Sequence, residues 1–258
     1  MGDWTVELAA DVLLGAESAC QDLEPLSDSW DSLDLSTAYA VQDETLRRRL
    51  ARGERLVGVK LGLTSRAKQQ RMNISSPLTA WLTDAMLLAP GEPVPRDRLI
   101  HPRAEPEIVL VLGSRLAGPG VTAASALAAV SAVYSGIEII DSRFRDFRFT
   151  LPDVVADNAS SACFAMGSVG ASASELDLGI EACLLEVDGQ VADSATGAAV
   201  QGNPASALAF AANDLAQRGL ALEPGWIVLT GGMTDAVPCP AGVSVAAHFT
   251  HLGSVFLP

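Results

Sequence analysis

Glu105-Pro106-Glu107 stands directly ahead of the apolar run Ile108 to Leu112. In an extended strand residues i and i+2 share a face, so the two carboxylates point the same way. Pro106 disfavours the helical alternative, because it restricts the residue before it and withholds an N–H. Like charges side by side at the mouth of a core repel and lose hydration, which a cation or protonation of one partner relieves. A divalent metal ion would serve; the alternative is an exposed strand end carrying two ordinary surface acids. Glu138 is a third acid inside an apolar run, between Ile137 and Ile139-Ile140, with Asp141-Ser142-Arg143-Phe144-Arg145 following. It reads either as a further ligand or as an ion-pair partner for Arg143 or Arg145. Carboxylates brought together from different strands would suit a hard cation such as magnesium. Zinc prefers His or Cys, and His101, His248 and His251 form no ligand pattern.

Lys60 sits in Leu56-Val-Gly-Val-Lys-Leu-Gly-Leu63, where apolar neighbours would partly bury its ammonium. Such a group seeks an anion, binding a substrate carboxylate or serving proton transfer, unless it snorkels to solvent. Asp153, Asp157-Asn158 and Ser160-Ser161 form a dense polar loop that either caps turns or lines a site. Thr230-Gly231-Gly232, at the end of a strand from Trp226, lets backbone approach a ligand or makes a plain turn.

The elements that must position these residues follow from periodicity. Residues 4 to 20 fit an amphipathic helix, and Ser36 is placed to cap a second one that carries Ala38, Val41, Leu46 and Leu50 inward and ends in a solvated Arg47-Arg48-Arg49. Leu56 to Leu63 reads as a strand, followed by a short helix from Ser65. Leu116 to Ile137, broken by Gly118-Pro119-Gly120, reads as a loop and then a buried helix. Ile108 to Leu112, Ile137 to Ile140, Ala162 to Met166, Leu184 to Val187, Trp226 to Thr230, Val243 to Phe249 and Ser254 to Leu257 are strand candidates. Asp188-Gly189 signals a hairpin, and Pro204 opens an Ala-rich helix to residue 218. The expected organisation is an N-terminal helical or α+β region over residues 1–75 and a metal-binding catalytic region over 76–258, with a soft boundary that leaves a single domain as the alternative.

Composition limits the chemistry. The 258 residues carry 31 Asp and Glu against 17 Lys and Arg, a net charge of −14, which repels phosphate backbones and anionic lipid and excludes nucleic acid as an expected partner. The cysteines Cys20, Cys163, Cys183 and Cys239 are scattered, with no Cys-x-x-Cys pair. The first residues show no basic export signal and no run is apolar enough to span a bilayer, so a cytoplasmic protein without membrane contact is expected.

Taken in order, Gly58-Val-Lys-Leu-Gly-Leu-Thr-Ser65, Pro102-Arg-Ala-Glu-Pro-Glu-Ile108, Glu138-Ile-Ile-Asp-Ser-Arg143, Leu151-Pro-Asp-Val-Val-Ala-Asp-Asn-Ala-Ser-Ser161 and Val228-Leu-Thr-Gly231 form a distinctive set. From about residue 35 onward the chain resembles the 2-keto-4-pentenoate hydratase and 2-oxo-3-hexenedioate (4-oxalocrotonate) decarboxylase family of the fumarylacetoacetate hydrolase superfamily. The resemblance implies an α+β fold, a mixed β-roll core with a helical N-terminal region, and a Mg2+ or Mn2+ site whose ligands are Glu105, Glu107 and Glu138. It places Lys60 on the active-site lysine, with Arg143, Asp157 and Ser160 as orienting catalytic groups, and Leu78, Trp81, Thr230 and Gly231 against the substrate.

Hydratases of this family usually carry Pro-Asp-Phe/Tyr-Gly after the lysine strand, whereas this chain has Pro77-Leu78-Thr79-Ala80-Trp81. Adding water to a diene needs a proton-handling group, while losing carbon dioxide needs an electron sink and room for the departing carboxylate. Leu78 and Trp81 fit the second, so decarboxylation of a 2-oxo-3-enedioate to 2-hydroxypenta-2,4-dienoate, through a metal-stabilised dienolate, is the expected activity. A hydratase, or a non-catalytic partner subunit of one, is the alternative. Homo-oligomers and a possible hydratase partner are also implied. Asn203 stands where members commonly have His and Ala80 where glycine is usual, which leaves the exact substrate open. Hydrolysis, as in the wider superfamily, would want a His/Glu pair, and the sequence offers no evident one.

Overall fold

The computed structural model describes residues 4–66, 69–70, 74–89 and 91–258. The helix expected after Ser65 runs into positions 67–68 and 71–73, outside those residues. Helices α1 (Val6–Ala19) and α2 (Leu35–Ala51) open the chain. Thr5 caps α1 by accepting from the Leu8 N–H. The cap of α2 is Asp34, not Ser36: the Asp34 carboxylate accepts from the Thr37 N–H at 2.7 Å, and Ser36 lies inside the first turn and donates to Asp34. A carboxylate at this position also complements the positive helix end, which a hydroxyl does less well. The arginines of α2 are not simply solvated. Arg48 pairs with Asp11 and Glu44, and Arg49 with Glu17 and Glu54, so Arg48 and Arg49 tie α1 to α2 while Arg47 alone is largely exposed.

Strands β1 (Leu56–Gly62), β2 (Leu78–Thr83), β3 (Arg103–Leu112), β4 (Val130–Ile140), β5 (Ser161–Met166), β8 (Ile227–Leu229) and β9 (Val237–Pro238) form one sheet in the order β2-β1-β8-β3-β4-β5, with β9 beside β3. Its pairs are antiparallel except β1 with β8. β6 (Ala182–Val187), β7 (Gln190–Thr196), β10 (Val245–Phe249) and β11 (Gly253–Leu257) form a second, antiparallel sheet in the order β11-β10-β6-β7. The expected hairpin joins β6 to β7, with Asp188 (φ 50°) and Gly189 (φ 71°) both left-handed as a type I′ turn requires. The division expected at residue 75 falls between β1 and β2, which are hydrogen-bonded from Leu56/Thr83 to Gly62/Leu78.

Between Leu116 and Ile137 the expected long helix shrinks to α3 (Ala123–Ala128), and β4 begins already at Val130. Val133, Ile137 and Ile139 alternate with Gly136 and Glu138 and so fill one sheet face, a period of two that outweighs the helical propensity of the alanines. Similarly, Asp153 lies within a helix, α4 (Leu151–Ala156), as the capping-box partner of Thr150 rather than in a loop. The Ala-rich helix is α5 (Pro204–Gln217), capped by Asn203.

The large sheet separates two environments. Val59, Leu61, Ile108, Leu110, Leu112, Ile137 and Ile139 point into the main core with Cys183, Leu185, Val245 and Ala247 of the second sheet and Ala207, Leu208 and Ala211 of α5. The opposite face carries Leu78 and Ala80, covered by α1, α2 and α4 through Ala9, Leu13, Val41 and Val155. The acids and Lys60 emerge on this second face. Among the described residues no helix is long and apolar enough to cross a membrane.

Candidate metal centre and adjoining cavity

Strand β3 pairs with β4 in a register that puts Glu105 opposite Glu138 and Glu107 opposite Gly136. Directly opposed residues share a face, so three carboxylates converge there, and the missing side chain at Gly136 makes room for Val109 beside them, whose Cγ2 a Cβ would meet at 2.4 Å. One oxygen from each of Glu105, Glu107 and Glu138 lies within 4.8 Å of the others, and all three side chains are buried. Pro106 is tolerated in mid-sheet because β9 pairs only with Arg103 and Ala104, and β8 only with Val109 to Val111. In the gap between them, residues 230–234 cross β3, where the Met233 N–H donates to the Pro106 carbonyl at 2.9 Å.

This crossing holds the carboxylates. The Gly231 N–H donates to Glu107 Oε2 at 2.7 Å, and Thr230 Oγ1 donates to the Ile108 carbonyl at 2.8 Å. Gly231 has φ +112°, and a Cβ there would lie 2.2 Å from Thr64 Oγ1; at Gly232 a Cβ would lie 2.7 Å from the Glu105 carboxyl carbon. The glycines are therefore needed for backbone to reach the acids. Glu138 Oε1 accepts from Ser161 Oγ at 2.8 Å and Oε2 lies 3.0 Å from Lys60 Nζ. Burial, and then the Glu138 charge beside it, hold the Glu107 carboxyl well above the usual carboxylate range, although Lys60 pulls the other way. Its Oε1 is buried with no hydrogen-bond partner. An oxygen stranded in this way, in a cluster that among the described residues holds carboxylates and no His or Cys, fits a hard divalent cation. Burial and Glu138 push the Cys163 thiol up to about 12, which keeps it from offering a thiolate.

Lys60 Nζ also donates to the Ala159 carbonyl at 3.0 Å. Asn158, Ala159 and Ser160 are all left-handed (φ 49°, 53° and 57°), a conformation that costs non-glycine residues roughly 1–2 kcal/mol each. A buried clamp holds them: Arg143 Nε pairs with the Asp157 carboxylate, Nη2 donates to the Asp157 carbonyl at 2.6 Å, and the Asp141 N–H donates to the Ser160 carbonyl at 2.7 Å. Arg143 and Asp157 are thus spent on each other beneath the loop. They position Ser160 and Lys60 and are not among the cavity-lining residues.

A cavity of about 480 Å³ opens over this face, lined by Lys60, Gly62, Leu78, Glu105, Ala159 and Ser160 among others. Of the residues expected against a substrate, Leu78 lines it, directly across from Gly62. Trp81 does not. Three positions from Leu78 on a strand, it faces the opposite side, where its Nε1 donates to Asp43 at 2.8 Å and its ring meets Trp226 edge-on. Thr230 and Gly231 act through Ile108 and Glu107 instead of lining the cavity. Sequence reasoning missed Arg103, Phe147, Phe149, Asp146 and Asp235. Arg103 was legible, since the i, i+2 alternation of Glu105 and Glu107 extends back to it; the others come from loops with no periodicity. The histidines do meet glutamates, His251 with Glu181 at 2.7 Å and His248 with Glu186 at 3.4 Å, but on the second sheet and outside this cavity.

The chain is 39% identical to a 4-oxalocrotonate decarboxylase of Pseudomonas sp. (strain CF600), over 95% of this chain and 93% of that one. It is 39% identical to a 2-keto-4-pentenoate hydratase of Burkholderia vietnamiensis, over 93% and 92%. Its structure resembles that of 4-oxalocrotonate decarboxylase from Pseudomonas putida G7, complexed with magnesium and adipate, with TM-score 0.95, 38% identity and coverage of 98% and 96%. The pattern of the fumarylacetoacetate (FAA) hydrolase C-terminal family matches residues 55–256. The chain belongs to the fumarylacetoacetate hydrolase family.

Proposed function

We propose that the protein is a metal-dependent carboxy-lyase that converts a 2-oxo-3-enedioate of the 4-oxalocrotonate type to 2-hydroxypenta-2,4-dienoate and carbon dioxide, on a β-roll core fronted by the N-terminal helices. The observation that carries this reading is the union of three buried glutamates and Lys60 at one end of a cavity whose wall at Leu78 is apolar. Glu105, Glu107 and Glu138 would hold Mg2+ or Mn2+. When bound, the ion supplies a Lewis acid that draws electrons toward a substrate 2-oxo oxygen.

The chain's own groups do the rest. Lys60, steered by Glu138 and the Ala159 carbonyl, holds a proton at Nζ beside the 2-oxo end. Ser160 lines the same wall, its loop fixed by Arg143 and Asp157. As the bond to the distal carboxylate breaks, its electron pair moves through the double bond to the 2-oxo oxygen, which takes up one proton. Leu78 keeps that wall free of an acid that could deliver protons to carbon, which favours decarboxylation over hydration.

Hydration is the second reading, favoured by equal likeness to a hydratase and by Asp146 and Asp235 at the cavity rim. Self-association, or docking to a hydratase partner, belongs to the same proposal, supported by the exposed Ile180, Val191 and Phe256 on and beside the second sheet. The purified protein with magnesium is to be given 2-oxohex-3-enedioate and, separately, 2-hydroxypenta-2,4-dienoate. Carbon dioxide release from the first and stable diene absorbance in the second are expected. Diene loss without carbon dioxide release would replace this reading by the hydratase.

A further inference from the structure

Among the described residues two cations line the cavity, Lys60 and Arg103. Lys60 is already paired with Glu138 at 3.0 Å, whereas no described carboxylate lies within ion-pair distance of Arg103. Arg103 stands on β3 two positions ahead of Glu105, so it emerges on the same face, roughly 6.6 Å farther along the strand. Its guanidinium carbon lies 4.1 Å from the centre of the Phe147 ring, and Phe147 is braced in turn by the His101 ring, with centroids 4.8 Å apart. A guanidinium resting on an aromatic face keeps its in-plane N–H fork available for a carboxylate.

We propose that Arg103 binds the distal carboxylate of a dicarboxylate 2-oxo acid whose oxo end lies at the glutamates, and so selects dianionic over monoanionic ligands. The inference rests on the reading of the site as one for 2-oxo acids. The strand rise from Arg103 to Glu105, roughly 6.6 Å between Cα positions, is comparable to the length of an extended six-carbon chain. Asp146 and Asp235 line the same cavity, but both are exposed at its rim, where solvent and salt screen them; Arg103 is half-buried and its charge is offset less. The distal carboxylate loses its charge as it departs, so this contact weakens toward the transition state and contributes to affinity more than to turnover.

The test titrates the magnesium-loaded protein calorimetrically with 2-oxoadipate and with 2-oxohexanoate, which differ only in the distal carboxylate. Wild type should bind 2-oxoadipate about 10- to 100-fold more tightly, the range of a hydrogen bond to a charged group. R103Q should lose that ratio and bind 2-oxohexanoate unchanged, which also reports an intact fold. A wild-type ratio near one, or a ratio that survives in R103Q, overturns the inference and leaves the 2-oxo acid site standing. Should R103Q fail to bind 2-oxohexanoate, R103K decides: a reduced ratio supports the role of the fork and an unchanged one refutes it. Binding of neither acid by wild type removes the 2-oxo acid reading itself, and this inference with it.

Discussion

Replacing Glu107 by Gln separates the two things its carboxylate does. In the metal-free protein the group is fully buried, with one oxygen unpartnered, and burial and Glu138 raise its folded-state pKa above the ordinary 4.5. An acid with a raised folded-state pKa favours the fold fully below its unfolded value, and that contribution is lost as pH rises toward the folded value. The loss is about 1.4 kcal/mol per pH unit for one proton. In a chain of this size 1.4 kcal/mol corresponds to roughly 3–5 °C in Tm. Glutamine neither titrates nor carries charge.

In chelator, therefore, the wild-type Tm should fall relative to that of Glu107→Gln by about this amount per pH unit from about pH 5 upward. Excess magnesium should reverse the order: at about 100 times Kd the wild type gains about 2.7 kcal/mol, and the variant gains little. Thermal melts of both proteins from about pH 5 to pH 8, with chelator or with magnesium, read all of this. Parallel pH curves in chelator would refute the burial of a strained carboxyl, and equal stabilisation of both proteins by magnesium would refute its role as a ligand.

Lys60→Met should lower turnover by about 10²- to 10⁴-fold, read by steady-state kinetics. Calorimetry should find its metal binding tightened rather than weakened, because a cation 3.0 Å from Glu138 has been removed. Gly232→Ala places a methyl 2.7 Å from the Glu105 carboxyl and should weaken metal affinity at least about tenfold with the fold intact, as a metal titration alongside circular dichroism would report. Trp81→Phe breaks the bond to Asp43 and should lower stability by about 1 kcal/mol in chemical denaturation while leaving KM within about twofold, since Trp81 faces away from the cavity.

The carboxylate cluster was partly legible in the sequence, because the spacing that sets a strand face is local and periodic. Glu105 and Glu107 share a strand face by their spacing, whereas Glu138 reads equally as a ligand or as an ion-pair partner of Arg143 or Arg145 until the family resemblance places it with them. What could not be read was which side of a strand or loop each remaining group takes. Leu78 and Trp81 look equivalent as apolar residues but lie an odd number of positions apart, so one lines the cavity and the other packs behind the sheet. Arg143 and Asp157 have the chemistry of catalytic groups, and only tertiary structure shows each saturating the other. Cavity walls from loops, such as Phe147 and Asp235, leave no periodic trace, and the cap at Asp34 displaced Ser36 because two good capping residues compete within one turn.

The most direct test is a crystal grown with Mn2+, whose anomalous scattering locates the ion without ambiguity of identity. The expected result is a single strong peak contacted by one carboxylate oxygen from each of Glu105, Glu107 and Glu138, at about 2.0–2.2 Å, with Lys60 alongside. Manganese bound elsewhere, or these glutamates unmoved and free of it at saturating concentration, would contradict the assignment.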